Sequence, residues 1–175
     1  RSAAPTFYSG GTLHLSAVDG LTVTNAGLQS VGDMTLSATG AAAGSGLLDF
    51  ASAAQAKSTA GNLYLNAKRK LTNAGTLATT TGDIVIRAGT GTGTSVSYPP
   101  QDGLINSGSI GAARNLDFAD FNGAGTAQVE LVGTSKMGGA TASLQAMYVS
   151  LQDSAVLSST GDMTKKVRNS DKPIN

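Results

Sequence analysis

The chain has 175 residues, of which 13% are charged, and its net charge is +1. So small a net charge argues against nucleic acid as a partner, because binding to phosphates needs a basic face, and 40% hydrophobic residues are too many for a disordered chain. There is no cysteine for a disulfide scaffold or a cysteine-ligated metal site, and no run approaches the ~18 apolar residues expected of a membrane span.

The first predicted elements come from a short phrase that recurs along the chain. It consists of a turn pair, then apolar–x–apolar, then x–Ala, and this alternation predicts a short strand with one inward face. The shortest spacing between the starts of successive copies is roughly 20 residues. The copies occupy residues 11–17, 32–38, 61–67 and 82–88, with a weaker copy at 114–119 and a partial one at 161–164.

A second phrase predicts corners between strands. It begins with Leu and contains Asn-Ala-Gly or Asn-Ser-Gly, at residues 21–28, 71–77 and 104–110. Asn and Gly tolerate positive φ better than other residues do. We therefore expect a sharp corner with positive φ at each copy.

Together the phrases predict an all-β fold, a right-handed parallel β-helix (solenoid) with roughly 20-residue coils and extruded loops. One such coil cannot bury its apolar face alone, but stacking coils ~4.8 Å apart pairs their backbones and joins their inward side chains into one core. We expect about eight coils and a rod on the order of 40 Å long. The longer gaps, from Gly32 to Gly61 and from Gly82 to Arg114, predict loops extruded from single coils. The alternative is a β-sandwich or barrel of unrelated short strands.

Between the phrases lie a small-residue stretch and a short basic run. Residues 39–60 are mostly Ala, Gly and Ser, and their apolar cluster at 47–50 is expected to place one strand of an enlarged coil in the core. Lys68, Arg69 and Lys70 form the one three-residue basic run within the repeats. On a solenoid this run falls at a turn, so we expect a solvated corner, with contact to a polyanion as the alternative.

The most loop-like stretch is 89–103. It contains Tyr98, Pro99, Pro100 and Gln101, and two adjacent prolines cannot donate hydrogen bonds to a central ladder. These four residues are therefore the candidate contact for a receptor or glycan, together with the basic run described above. The alternative is an ordinary loop without a partner.

The chain is predicted to form one β-helix domain over residues 1–163, followed by a tail. The coils are expected to be regular over about 10–113, where the phrases recur, and irregular over about 114–163, where strand alternation continues without them. The tail at 164–175 is basic and has few apolar residues. We expect it to be frayed or to cover the last coil.

Catalytic groups are few in this sequence. Glycoside hydrolysis needs two carboxylates that face each other across a cleft, but the odd spacing of Asp117 and Asp120 puts them on opposite faces of a strand, and Glu130 is the single glutamate. The one histidine, His14, lies between two leucines and is expected to point outward. We therefore expect no enzyme activity, no cofactor and no metal site. A polysaccharide-binding or polysaccharide-cleaving β-helix is the alternative.

Three copies of the phrases carry a family resemblance. They are Gly-Asp-Met-Thr-Leu-Ser-Ala at 32–38, Gly-Asn-Leu-Tyr-Leu-Asn-Ala at 61–67 and Leu-Thr-Asn-Ala-Gly-Thr-Leu at 71–77. These resemble the repeats of filamentous haemagglutinins, a family that includes the large exoproteins of two-partner secretion and the stalks of contact-dependent growth inhibition effectors. The resemblance covers roughly 10–113, is weak over 114–160 and is absent from the tail.

The resemblance implies a β-helix that is exported across the outer membrane of a Gram-negative bacterium by a secretion partner in that membrane. It also implies a secreted, cell-surface filament that acts as an adhesin or as the rod presenting a toxin, and that meets a receptor or glycan on a host or target cell. We therefore expect a structural shaft segment from the middle of such a rod. Direct adhesion through the loops at 39–60 or 89–103 is the second hypothesis.

Overall fold

The computed structural model describes residues 5–90, 100, 102–123 and 125–167, and all regular elements in these residues are β-strands. They form three parallel sheets, and each turn of the chain adds one strand to each sheet in the same order. Sheet 1 contains β1 (Thr6–Ser9), β4 (Gly27–Ser30), β7 (Gln55–Ser58), β10 (Thr76–Thr79), β13 (Ser109–Gly111), β16 (Lys136–Gly139) and β19 (Val156–Ser159). Sheet 2 contains β2 (Leu13–Ala17), β5 (Met34–Ala38), β8 (Leu63–Ala67), β11 (Ile84–Ala88), β14 (Asn115–Ala119), β17 (Thr141–Ala146) and β20 (Met163–Val167). Sheet 3 contains β3 (Gly20–Val23), β6 (Leu47–Phe50), β9 (Lys70–Asn73), β12 (Gly103–Asn106), β15 (Gln128–Leu131) and β18 (Tyr148–Leu151).

The stacked strands form a β-solenoid of about six turns with roughly 25 residues per coil. The predicted parallel β-helix with extruded loops is confirmed, and its all-parallel pairing excludes the sandwich or barrel alternative. The coils are longer than the roughly 20 residues predicted and fewer than the predicted number of about eight, because extra residues lengthen some of them. With seven strands in a sheet, the stack is on the order of 29 Å tall. The unequal coil lengths are visible along sheet 1, where the residues that stack in register are Thr6, Gly27, Gln55, Thr76, Ser109, Lys136 and Val156.

Inward side chains form continuous columns through the middle of the solenoid. The strand predicted at 47–50 is β6, and its Leu48 and Phe50 are buried. Each fully buried leucine stabilises the fold by about 1.5–3 kcal/mol, so the columns hold the coils together in addition to the strand hydrogen bonds. One column contains Leu15, Leu36, Leu65, Ile86, Phe118 and Leu144, all of them buried except the half-buried Leu15.

The turn pair of the first phrase forms the corner between sheets 1 and 2. Gly61 and Gly82 stack there so closely that a Cβ on either residue would overlap the backbone of the preceding coil. The residue after each glycine links the coils. Asp33 Oδ1 accepts the backbone N–H of Asn62 at 2.8 Å, and Asn62 Oδ1 accepts that of Asp83 at 2.9 Å. This ladder continues into the next coil and explains why Asp or Asn recurs at this position.

The second phrase forms the corner between sheets 3 and 1, where Asn73 and Asn106 are buried and stacked on each other. The prediction of positive φ is wrong at all three copies of the phrase, because none of their residues has a positive φ. Positive φ does occur at the same corner of the two later coils, between β15 and β16 and between β18 and β19. Gly75 and Gly108 are required for another reason. A Cβ at either position would overlap backbone atoms of the coil before it, so at these two copies the corner depends on close stacking rather than on a left-handed residue.

The two ends of the solenoid are more exposed than its middle. Phe7 lies opposite the buried Leu28 and faces inward, yet it is 67% exposed. At the other end β20 pairs with β17, so residues 164–167 of the predicted tail continue the ladder. Residues 168–175 lie outside the described part of the chain. No helix among the described residues is long and apolar enough to cross a membrane.

Candidate functional site

The longest connections between successive strands all leave the solenoid at the same corner, between sheets 2 and 3. They are the connections at 39–46, 89–102 and 120–127. Insertions on one face of a repeat protein are often its binding face. We call the described residues of these three connections, together with Lys68 and Arg69 between them, the insertion corner.

The first inserted connection folds back onto the next coil. Gly44 and Gly46 have φ of 80° and 66°, a conformation that glycine adopts without steric cost. The carbonyl of Gly46 accepts the backbone N–H of Arg69 at 3.0 Å. Residues 41–44 are exposed, so this connection has an exposed tip of small residues above a fixed base.

Arg69 holds the base of the longest connection. Its Nε donates to Asp102 Oδ1 at 2.8 Å, and the two side chains are 23% and 24% exposed. The Thr90 hydroxyl donates to the other oxygen of Asp102 at 3.1 Å. Because Thr90 and Asp102 lie near opposite ends of this connection, these contacts draw its two ends together.

The third connection is tied to the second. The backbone N–H of Phe121 donates to the carbonyl of Gly89 at 3.1 Å, and Asn122 Nδ2 donates to the carbonyl of Thr90 at 2.7 Å. Lys68 Nζ lies 4.6 Å from the centre of the Phe121 ring, a cation–π contact. The bases of both connections therefore form one surface with the corner of the coil that precedes them.

A buried carboxylate shapes the third connection from inside. Asp120 is fully buried, and its two oxygens accept the backbone N–H groups of Asn122 at 3.1 Å and Thr126 at 2.7 Å. The Thr126 hydroxyl donates to it as well, at 3.1 Å. The carboxylate thus replaces the strand partners that these amides lose when the chain leaves sheet 2.

The structure describes only part of the predicted contact loop. Pro100 is buried, whereas Tyr98, Pro99 and Gln101 lie outside the described residues. The described neighbours of the loop, Thr90 and Asp102, show where it joins the solenoid. A receptor or glycan contact at these four residues stays a prediction.

The basic run is half-buried rather than fully solvated. Lys68 and Arg69 make the contacts described above, and Lys70 opens β9 opposite Leu47. The expected solvated corner therefore describes these side chains only in part, since two of the three hold the bases of inserted connections. Contact with a polyanion stays a prediction.

The three carboxylates considered for polysaccharide cleavage occupy separate surroundings. Asp117 pairs with Arg87 at 2.6 Å on the outer face of sheet 2. Asp120 closes its own turn, and Glu130 accepts a hydrogen bond from Gln152 Nε2 beside sheet 3. Each carboxylate is thus held by a neighbour in its own sheet or turn.

Other candidate groups are sparse in the described part of the chain. It contains no cluster of three His, Cys, Asp or Glu residues that could hold a metal ion, and His14 is exposed on β2, as predicted. A shallow groove of about 390 Å³ lies on sheet 1, where Gly111 and Gly138 have no side chain to fill it. None of the residues lining the groove belongs to the insertion corner.

Sequence reasoning did not find Thr90, Asp102, Phe121 and Asn122 as members of one surface. The signal that could have found them is spacing, because the separation of Arg69 and Asp102 along the chain equals the length of the enlarged coil between Thr76 and Ser109. An Arg and an Asp separated by one coil lie on adjacent coils at the same corner.

In comparisons with known proteins, no family model, no curated protein and no solved structure matches the chain. The resemblance to filamentous haemagglutinin repeats therefore stays a prediction that rests on the quoted phrases. What the residues themselves establish is a parallel β-solenoid whose inserted connections all leave one corner.

Proposed function

We propose that the chain is a segment of the structural shaft of a secreted, cell-surface filamentous protein of a Gram-negative bacterium, either an adhesin or an exoprotein that presents a toxin. A shaft acts through its length and stiffness and needs no catalytic group. The observation that carries the proposal is the unbroken stack of parallel strands, in which each strand pairs only with the coils before and after it. Such a stack grows in one direction, coil by coil.

The side-chain ladders support the same function. The Asp and Asn ladder runs from Asp33 to Asn115 along one corner, and Asn73 pairs with Asn106 at another. These contacts join adjacent coils in addition to the strand hydrogen bonds. A stack that is bonded at its corners as well as along its faces resists bending, as a shaft must.

Deletion of one whole coil tests whether the chain acts as a structural shaft. Removing residues 55–75 brings Thr76 to the position of Gln55 and Ile84 to that of Leu63, because the members of each pair lie in register on adjacent coils. The shortened protein is expected to keep a strand-rich circular dichroism spectrum and one cooperative melt. Its long axis, measured by small-angle X-ray scattering, should fall by about 4.8 Å.

The matched control removes residues 55–65, about half a coil. This deletion shifts the following strands out of register, so inward and outward side chains exchange places and the fold is expected to be lost. If the whole-coil deletion unfolds the protein as the half-coil deletion does, the coils are not interchangeable units and the shaft function is contradicted.

A second candidate function is direct adhesion through the insertion corner. The observation that favours it is the placement of all three long connections on one edge, with their bases tied by Arg69, Asp102 and Phe121. Short connections suffice at the other two corners, so the solenoid itself does not require the insertions. A tied base fixes the place at which each connection leaves the solenoid, which lowers the entropy lost when a partner binds.

A glycan and cell-surface binding screen with the 175-residue chain tests adhesion. Tyr98→Ala is the test variant, and Tyr8→Ala is the matched control, because Tyr8 is 65% exposed on sheet 1 away from the insertion corner. Binding that Tyr98→Ala lowers about tenfold or more and Tyr8→Ala leaves unchanged would assign adhesion to the loop. Binding that both variants keep would contradict it.

A further inference from the structure

The third inserted connection contains the one Asn-Gly pair of the sequence, Asn122-Gly123. Both residues are exposed, in the turn that follows β14. Gly123 has a φ of 67°, and the position that a Cβ would take on it is open among the described residues. The turn therefore presents an asparagine amide to solvent, next to the backbone nitrogen of a residue without a side chain.

Such a pair can react with itself. The backbone nitrogen of Gly123 attacks Cγ of Asn122, so that a new N–Cγ bond forms and the bond from Cγ to Nδ2 breaks. The proton of the attacking nitrogen leaves with the amide nitrogen as ammonia, and a cyclic succinimide remains. Water then opens the ring at either carbonyl and gives aspartate or isoaspartate at this position. Glycine favours the first step, because it has no Cβ to hinder the approach and its backbone adopts conformations that other residues avoid.

The closed turn slows this reaction but does not prevent it. The N–H of Gly123 donates to the carbonyl of Asp120 at 3.1 Å, and it must leave that carbonyl before its nitrogen can reach Cγ. The reaction therefore requires a local opening of the turn. Exposed connections open at a much lower free energy than the strands of a core do, so the reactive conformation is accessible without unfolding of the solenoid.

The same amide joins the third connection to the second. Nδ2 of Asn122 donates to the carbonyl of Thr90 at 2.7 Å. After deamidation a carboxylate faces this carbonyl, so an acceptor replaces the donor and the hydrogen bond is lost. The new charge also lies in a turn that already contains the buried carboxylate of Asp120, and repulsion between like charges disfavours the closed turn. Isoaspartate in addition inserts a methylene group into the main chain of the turn.

We propose that Asn122 is a site of spontaneous deamidation and that its conversion releases the third inserted connection from the second. The ammonia that is lost is not regained in water, so the change accumulates with the age of the protein. Asn122 lies outside the strands, and the stack of coils is therefore expected to persist while the insertion corner changes. This inference holds whether or not the chain acts as a shaft.

Peptide mapping by mass spectrometry tests the modification in the 175-residue chain. The folded protein is kept at mildly alkaline pH and sampled over time, and fragmentation locates the mass gain that accompanies replacement of an amide by a carboxylate. Asn25 is the matched control in the same chain, since it is also exposed at a corner but is followed by Ala26. Deamidation is expected to be at least about tenfold faster at Asn122 than at Asn25, and equal rates would overturn the proposal.

Asn122→Asp tests the release, because it introduces the aspartate product directly. Amide hydrogen exchange is measured by NMR at Phe121, whose N–H donates to the carbonyl of Gly89 on the second connection. Exchange at Phe121 is expected to be on the order of fivefold faster than in the native chain, since two facing acceptors replace a hydrogen bond. Asn25→Asp makes the same change of charge at another exposed position, and it is expected to leave exchange at Phe121 unchanged.

Two outcomes of the exchange experiment would overturn the proposal. Unchanged exchange at Phe121 in Asn122→Asp would show that the amide does not hold the connection. Equal acceleration throughout β14 would show that the whole fold loosens rather than the connection. Circular dichroism first establishes that each variant is folded. If Asn122→Asp does not fold, Asn122→Ala, which removes the donor without adding a charge, takes its place, with Asn25→Ala as its control.

Discussion

Asn73 is completely buried, yet its side-chain amide is fully engaged. Its Nδ2 donates to Asn106 Oδ1 at 2.8 Å, and its Oδ1 accepts the backbone N–H of Gly75 at 3.1 Å. One side chain thus bonds the turn of its own coil and the next coil at once. In low dielectric such bonds are strong, and an unpaired partner is costly.

We expect Asn73→Ala to lower the free energy of unfolding by about 2–4 kcal/mol, because it leaves the buried N–H of Gly75 without its acceptor and removes the bond to Asn106 on the next coil. Urea unfolding measures the change. Asn66→Ala is the control, since Asn66 is half-buried on the outer face and donates only to Ser37 Oγ at 3.3 Å. Its expected cost is below about 1 kcal/mol, and equal costs for the two variants would contradict the buried ladder.

Lys165 in β20 lies opposite Leu144 in an inward column, and it makes the stability of the fold depend on pH. Desolvation lowers its pKa below the usual 10.5, so the folded state disfavours the charged form relative to the unfolded chain. The destabilisation is full below the folded pKa and is relieved as the pH rises toward the unfolded value.

Lys165→Met is therefore expected to be more stable than the native chain at pH 7, by on the order of 0.5 kcal/mol, because solvent still screens the half-buried charge. The difference between the two proteins should shrink as the pH is raised from 8 toward ~10.5. Paired urea titrations across this range measure it. A difference that grows with pH would show that the charge stabilises the fold.

The first copy of the corner phrase shows why residue positions are harder to predict than repeats. Asn25 looks equivalent to Asn73 in the sequence. In the structure Val23 takes that place, because Val23 pairs with Phe50 and Phe50 pairs with Asn73. Asn25 is exposed, beyond the end of β3. It lies further from the leading Leu21 than Asn73 does from its own leading leucine, and only the strand register shows that this extra distance moves the amide out of the core.

At the scale of the element, the strands were predictable and the insertions were not. Copies of the first phrase at 11–17, 32–38, 61–67 and 82–88 stack residue on residue, because backbone pairing and the inward column impose the same register on each coil. The extra residues of the long gaps were predicted as loops, which the structure confirms at 39–46 and, within 89–102, at the residues that it describes. The sequence did not predict that the inserted connections share one corner. Their common corner depends on the point at which each connection interrupts its coil, and the inserted residues have no periodic pattern that marks this point.

The Arg69–Asp102 pair is the element-scale contact to test, because it closes the base of an inserted connection. A double-mutant cycle with Arg69→Ala and Asp102→Ala is expected to give a coupling of about 0.5–1.5 kcal/mol, since both side chains are mostly buried and Asp102 also accepts from Thr90. The pair Arg114–Asp83, at 3.4 Å, is the control.

In the control pair the arginine side chain is 64% exposed, so a cycle there is expected to give a coupling near zero, as most solvent-exposed ion pairs do. Both cycles are measured by thermal or urea unfolding at two salt concentrations. Coupling at Arg69–Asp102 that is no larger than in the control would mean that this ion pair does not hold the loop base.

The whole molecule behaves as a one-dimensional stack. Each coil contacts its two neighbours, and the core is a bundle of columns rather than a single centre. The recurrence of the same phrases along the sequence was enough to predict this architecture, because a β-sandwich or barrel does not require the same strand and corner phrases in every repeat, whereas stacked coils do. The height was overestimated, since the mean coil is longer than the shortest spacing between phrases.

The regular stacking of the coils fixes the distances along the axis between the connections of the insertion corner. The three inserted connections belong to the second, fourth and fifth coils, so their bases are separated by about 10 Å and then about 5 Å along the axis. These separations can change only in whole steps of one strand spacing, however the inserted residues vary in sequence. A linear polymer whose repeat matches that step could reach the bases of more than one connection without bending. One additional coil between two of the connections would shift their bases by one step relative to such a polymer.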